Sequence, residues 1–296
     1  INNIGAEGQM YMGVIASCAI ALHCDGIPRI IAIPLCILFG AIAGAAYGFV
    51  PGFLKAKLEV SELLSTVMLN YAAAQFYLFC IRIPMLDPNE KTGTPMTARI
   101  SSNANLTKFI KGASLHQGII LAAILVVLIY ILLFKTTWGY KMRAAGASER
   151  AARYGGINVS RYLIISMMIS GACAGMAGAV ELMGVQGRAM EGITSGYGFS
   201  GIVVALFGVL HPIGIIPAAF FFGILLYSQV NLQILTAVPP NLVSTLQGLI
   251  ILIIVAVQMA INNPYSQERF RKRFFKDTIK DIRNTSDICA KGAKEA

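Results

Sequence analysis

The side chains with chemistry to offer are Glu7, Gln9, Asn70, Glu181, Gln186, Gln229 and Gln247, each set in or beside apolar sequence. A carboxylate or amide at membrane depth is costly unless it lines a polar path or bonds a neighbouring helix. Both readings stand for each of these residues. Glu7 lies between Gly5 and Gly8, in a bend ahead of a short apolar run, where backbone amides are also exposed. Glu181 lies near the end of its run and could simply reach water. A path of amides and small residues suits neutral, hydroxyl-rich solutes better than one of opposed charges.

No reaction chemistry accompanies these groups. His23, His116 and His211 are far apart, without metal-ligand spacing, and no nucleophile–base arrangement occurs. Cys18, Cys24, Cys36, Cys80, Cys173 and Cys289 show no paired spacing and read as small hydrophobes. The phosphate-binding pattern G-x-x-x-x-G-K-[ST] is absent. The expectation is a non-enzyme with no cofactor of its own.

The elements that must position these residues are apolar. Hydrophobic residues make up 56% of the chain and charged ones 13%, against about 25% charged in soluble domains. Mean hydropathy is +0.68. Apolar runs fall roughly at 10–24, 30–52, 61–83, 118–134, 161–183, 200–210, 213–235 and 241–262. Most can cross a bilayer, which takes about 20 helical residues. The pattern predicts an all-α polytopic membrane protein of about eight hydrophobic segments. The short first and sixth runs predict broken or re-entrant helices. Gly40, Gly44 and Gly48, and Gly171, Gly175 and Gly178, recur at the spacing that lets membrane helices approach closely.

The net charge of +10 does not indicate nucleic acid. Its positives flank membrane runs, as the positive-inside rule expects. Loop 135–160, followed by Arg161, and the basic tail 264–296 are therefore expected in the cytoplasm, and loop 84–117 outside. That outer loop, with Pro84, Pro88, Ser101 and Asn103, reads either as a docking surface or as a solvated loop. Residues 1–263 are expected to form one transmembrane domain. The chain opens at Ile1 within a motif, and its first apolar run, with no basic stretch before it and no small-residue cleavage site, does not read as a signal peptide, so an N-terminal piece is expected to precede it. Alternating Lys, Arg and Phe at 269–276 fit contact with anionic lipid.

The cytoplasmic loop is structured. Ser148 is a good helix N-cap, Glu149 suits the positive helix end, and Ala151-Ala152-Arg153-Tyr154 favours helix. Gly155 and Gly156 can end it in a left-handed conformation. A surface helix of about two turns results, preceded by Arg143 and Gly146. It either lies on anionic lipid or fits a groove on a soluble motor.

Four stretches resemble one family. Asn3-Ile4-Gly5-Ala6-Glu7-Gly8-Gln9 and Met68-Leu69-Asn70-Tyr71 are the first two. The third is the cytoplasmic loop, Trp138-Gly139-Tyr140-Lys141-Met142-Arg143-Ala144-Ala145-Gly146 with Ala151-Ala152-Arg153-Tyr154-Gly155-Gly156-Ile157-Asn158. The fourth is Gly198-Phe199-Ser200-Gly201-Ile202-Val203-Val204-Ala205-Leu206. All are similar to permease subunits of ABC importers for simple sugars and nucleosides, relatives of ribose and branched-chain amino-acid permeases. The resemblance implies a bacterial cytoplasmic-membrane subunit that pairs with a second, often paralogous, permease. It implies a separate double-domain ATPase carrying ATP and Mg, and an external solute-binding lipoprotein. It makes Arg143, Gly146, Ser148, Glu149, Arg150, Ala151, Ala152, Arg153, Tyr154, Gly155 and Gly156 the ATPase-coupling segment. Many relatives have Asn where this chain has Ser148, and either caps a helix. The alternatives are an ion-gradient-driven secondary transporter of small polar solutes, an ABC permease for another solute such as branched-chain amino acids, and a channel or structural bundle.

Overall fold

The computed structural model describes residues 3–88, 93–109 and 115–236, and isolated positions 245, 248, 249, 252 and 253. The run 241–262, apart from those positions, and the basic tail lie outside the described residues. The helices are α1 (Ala6–Ala21), α2 (Arg29–Leu58), α3 (Glu62–Arg82), α4 (Gly118–Lys135), α5 (Thr137–Ala147), α6 (Glu149–Tyr154), α7 (Val159–Glu181), α8 (Tyr197–Phe207) and α9 (Pro212–Thr236). A π turn, Leu182–Gln186, continues α7. Ile1–Pro217 form one compact unit and Ala218–Ala296 a second; the sites described below lie in the first.

The all-α polytopic expectation holds in coarser form than eight segments. Among the described residues, α2, α3, α4 and α7 with its π turn are long and apolar enough to span, and α8 and the Pro212–Ser228 part of α9 are shorter apolar stretches. The run expected at 10–24 is a 16-residue helix that begins at Ala6. Apolar periodicity places its start too late, because the first turn carries Glu7 and Gln9 and is held by partners distant in sequence.

Glycine decides the packing. α2 and α7 share the most extensive helix contact, with α1 against both. A Cβ at Gly44 would collide with the Gly171 carbonyl oxygen and lie 2.9 Å from Gly175 Cα. Gly48 meets the α7 backbone in the same way, at Met167 O, whereas a Cβ at Gly40 would meet Ser17 Oγ of α1 first and lie 3.1 Å from Gly175 O. Gly178 serves α1 instead, where a Cβ would stand 2.6 Å from the Met10 carbonyl oxygen. Small residues thus let backbone rest on backbone, and dispersion does what hydrophobic burial cannot do between helices in lipid.

The described part of loop 84–117 is not a free solvated loop. Thr97 N–H donates to Ala189 O at 3.0 Å, Ile100 N–H to Gly187 O at 3.0 Å and Leu106 N–H to Met183 O at 3.0 Å. Ala189 N–H donates to Thr97 Oγ1 at 3.0 Å, and the Arg29 guanidinium donates to Asn105 O. Ile100, Ala104 and Leu106 are buried in the same core as Val14, Tyr77 and Ile81. Polar composition left a docking surface and a solvated loop both open. The polar groups are consumed by backbone pairing with the chain after α7.

Candidate translocation and coupling sites

The start of α1 has no cap from its own N-cap residue, Gly5. Distant side chains satisfy its unpaired backbone groups instead. Asn70, from α3, donates through Nδ2 to Ile4 O at 2.9 Å and accepts Gly8 N–H on Oδ1 at 2.9 Å. Any side chain at position 8 would meet that amide, since a Cβ there falls 2.9 Å from Asn70 Oδ1. Asn3 accepts Gly5 N–H at 2.9 Å and donates to Gln9 Oε1 at 2.9 Å and to Ser170 Oγ of α7 at 2.8 Å. Glu7, Gln9 and Asn70 are all buried.

Glu7 reaches across to α8. The Thr194 hydroxyl donates to one carboxylate oxygen, and Gly198 N–H donates to the other at 2.7 Å. Gly196, with φ 75°, turns the chain into α8. The carboxylate therefore sits against the positive end of a half-length helix. Gly198 must lack a side chain, because a Cβ would stand 2.6 Å from Glu7 Cα. Glu7 and Asn70, far apart in sequence, thus tie the first turn of α1 to α8 and α3.

Glu181 and Gln186 meet each other, Gln186 Nε2 donating to Glu181 Oε1 at 3.3 Å across the π turn. Glu181 shares a mostly apolar cavity of about 340 Å³, between α4 and α7, with His116 and Tyr197. The side chains of Gln229 and Gln247 lie outside the described residues. Sequence reasoning missed Asn3, Ser166, Ser170 and Thr194 as site residues. Asn3 stood inside a quoted motif, and Ser166 and Ser170 share one face of α7 four residues apart. Thr194 carried no local signal.

At the opposite end, the loop folds as two helices. Thr136 Oγ1 accepts Gly139 N–H at 3.1 Å and starts α5. Ser148 Oγ accepts Ala151 N–H at 3.3 Å and starts α6. Gly156, at φ 75°, takes the left-handed conformation, whereas Gly155, at φ −75°, does not. Ala152 is buried against Ala145, Val159 and Ile157 and anchors α6. Tyr154 is 93% exposed, and Gly146, Glu149, Arg150, Ala151, Arg153, Gly155 and Gly156 are exposed as well. The Arg143 guanidinium packs over the Phe134 ring, 4.7 Å from its centre. Glu149 and Arg153 line a polar cleft of about 270 Å³ with Lys55 and Glu59, at the end of α2, and Ser160.

Spanning helices, a half-length helix tied at a buried carboxylate and a capped surface helix at the far end define a permease-type membrane subunit. The chain belongs to the family described as branched-chain amino acid transport system permease component, whose profile matches residues 1–255. It is 36% identical over 255 residues to the guanosine ABC transporter permease protein NupP of Bacillus subtilis, covering 86% of this chain and 73% of that one. It is 37% identical over 262 residues to the nucleoside ABC transporter permease protein NupB of Lactococcus lactis, covering 85% and 71%. It is 31% identical over 264 residues to the glucose ABC transporter permease protein TsgB13 of Haloferax volcanii, covering 86% and 68%. No solved structure matches. The chain is thus the non-catalytic, multi-pass membrane component of an ABC transporter, and ATP is hydrolysed on a partner ATPase. Family membership sets aside the ion-gradient-driven and channel alternatives.

Proposed function

We propose that this chain forms half of the translocation path of a nucleoside importer, and that α6 is the element a separate double-domain ATPase pushes. The observation that carries the coupling role is the two-sidedness of α6. Ala152 roots it in the protein, while Tyr154, Arg150 and Arg153 stand out from it. A helix fixed from inside and displayed outside transmits a push, and the neighbouring cleft lets Glu149 and Arg153 pass it to the end of α2. A second permease completes the path, and an external binding lipoprotein supplies solute. The guanosine and nucleoside relatives favour a nucleoside; the glucose relative keeps simple sugars as the second reading.

The test is reconstitution of the complete transporter in proteoliposomes with guanosine, uridine or ribose. Solute-stimulated ATP hydrolysis and uptake are expected for the nucleosides. Replacing Glu149, Arg150 and Arg153 together with Ala should release the ATPase or uncouple hydrolysis from uptake. Unchanged association together with unchanged uptake refutes the role given to α6.

A further inference from the structure

We infer that the cavity bordered by the start of α1, α7 and α8, about 410 Å³, is a binding station for a neutral, two-faced solute on the α6 side of the Glu7 contact. The inference rests on the importer reading above. It locates where the solute pauses and what the station accepts. The volume lies within the range of small-molecule sites.

The lining has two faces and no charge. Asn3, Ser166 and Ser170 form a polar stripe, and Ile202 and Leu206 of α8 form an aliphatic wall opposite. The stripe is preorganised. Asn3 is committed to Gly5, Gln9 and Ser170, so its amide cannot swing. Ser170 accepts from Asn3, and a hydroxyl that accepts still has one O–H to give. Ser166 donates to Leu163 O at 3.2 Å and so keeps a lone pair to offer. A donor and an acceptor therefore stand one helical turn apart on one face of α7, which suits two hydroxyls of one solute.

Position follows from the chain. Leu63 lies at the second residue of α3 and Leu210 in the turn after α8, and both border the cavity. The Glu7 bonds to Thr194 and Gly198 close the other end of α8. Solute released past that contact meets this space before the α6 end of the bundle.

The absence of charge selects. A zwitterionic amino acid would lose the hydration of both ionised groups with no counter-charge in the lining, and unpaired burial of a charge is prohibitive. A nucleoside can lay its base against Ile202 and Leu206 and turn its ribose hydroxyls to Ser166 and Ser170. A simple sugar can use only the stripe. The expected order is nucleoside, then sugar, with leucine excluded, although the family description mentions branched-chain amino acids.

The test uses the assembled permease–ATPase complex without binding protein, with tritiated guanosine as probe and unlabelled uridine, ribose and leucine as competitors. Ser170→Ala and Ser166→Ala should each weaken guanosine binding roughly three- to tenfold, the worth of one neutral hydrogen bond. Ser170→Thr should restore it, and Ile202→Trp should fill the space and abolish it. Co-purification of the ATPase with each variant reports that it has folded. Wild-type complex that binds and imports guanosine, while the Ser and Ile202 variants bind it equally well, overturns the inference, as does leucine competing as strongly as uridine. If the wild-type transporter imports neither guanosine, uridine nor ribose, the importer reading fails first and the station falls with it.

Discussion

Gly44→Ala is the sharpest test of the packing. The added Cβ would collide with the Gly171 carbonyl oxygen and lie 2.9 Å from Gly175 Cα and 3.0 Å from its nitrogen. Every atom it meets is backbone, so no rotamer change relieves it, and α2 must move off α7. A separation of ~1 Å forfeits up to about half of each contact well along the crossing. Overpacked sites typically lose ~1–3 kcal/mol, and the better helix propensity of Ala returns ~1 kcal/mol. The expected net loss is ~0–2 kcal/mol against the unchanged chain and ~1–3 kcal/mol against a helical Gly→Ala change that meets nothing, and Gly44→Val should be worse. Thermal unfolding of the detergent-purified chain measures it. Gly201→Ala is the control, because a Cβ at Gly201 has nothing within 4 Å; it should be neutral or slightly stabilising. If Gly44→Ala and Gly201→Ala unfold at the same temperature, the backbone-on-backbone account of the α2–α7 crossing is wrong.

Asn70→Ala strands Ile4 O and Gly8 N–H in a buried setting and should cost ~2 kcal/mol, read as a lower unfolding midpoint; an unchanged midpoint would mean that α1 does not need this brace. Glu7→Gln turns an amide N–H toward one of two donors, Thr194 and Gly198. It should cost ~1–3 kcal/mol and slow uptake, whereas equal stability and equal transport would remove Glu7 as the tie between α1 and α8. His116 supplies a pH dependence. Its Nδ1 accepts Gly118 N–H at 3.0 Å, and burial, then the Lys108 charge, holds its pKa below the ordinary 6.5. The folded chain therefore binds fewer protons than the unfolded one. This stabilisation is complete above about pH 6.5 and is lost as pH falls through the lowered folded value. His116→Gln should flatten the dependence of unfolding temperature on pH between about 5 and 7, and an unaltered slope rules His116 out as its source.

Local determinants were legible in the sequence. α6 was readable because its cap, Ser148, and its buried anchor, Ala152, lie within five residues of one another. The glycine spacing announced close helix contact, though it could not say that Gly44 meets Gly171 while Gly178 turns to Met10. What escaped was long-range. α1 begins at Ala6 because Asn70 braces it from another helix, and no window along the chain contains both. Its polar residues Ser101, Asn103 and Asn105 let the loop after α3 read as a docking surface or a solvated loop, while its bonding to residues 183–189 spans about eighty to ninety positions. Glu7 and Asn70 could be picked out as costly polar groups, but their partners, Thr194 and Gly198 for one and Ile4 and Gly8 for the other, required the fold.

The glycine crossing has a mechanical corollary. Where carbonyl oxygens of one helix lie against Cα atoms of the next, a slide of one residue would drive side chains into backbone. α2 and α7 are therefore locked in register and can move only as a single strut. With its π turn, α7 has 28 residues, a length of ~42 Å. One end of the strut adjoins α6 through Glu59 and Ser160. The other ends at Met183 and Gly187, under the hydrogen bonds from Leu106 and Ile100. A load applied at α6 cannot dissipate as slip along this crossing. It emerges at the far end as tilt, where α7 gives way to the π turn.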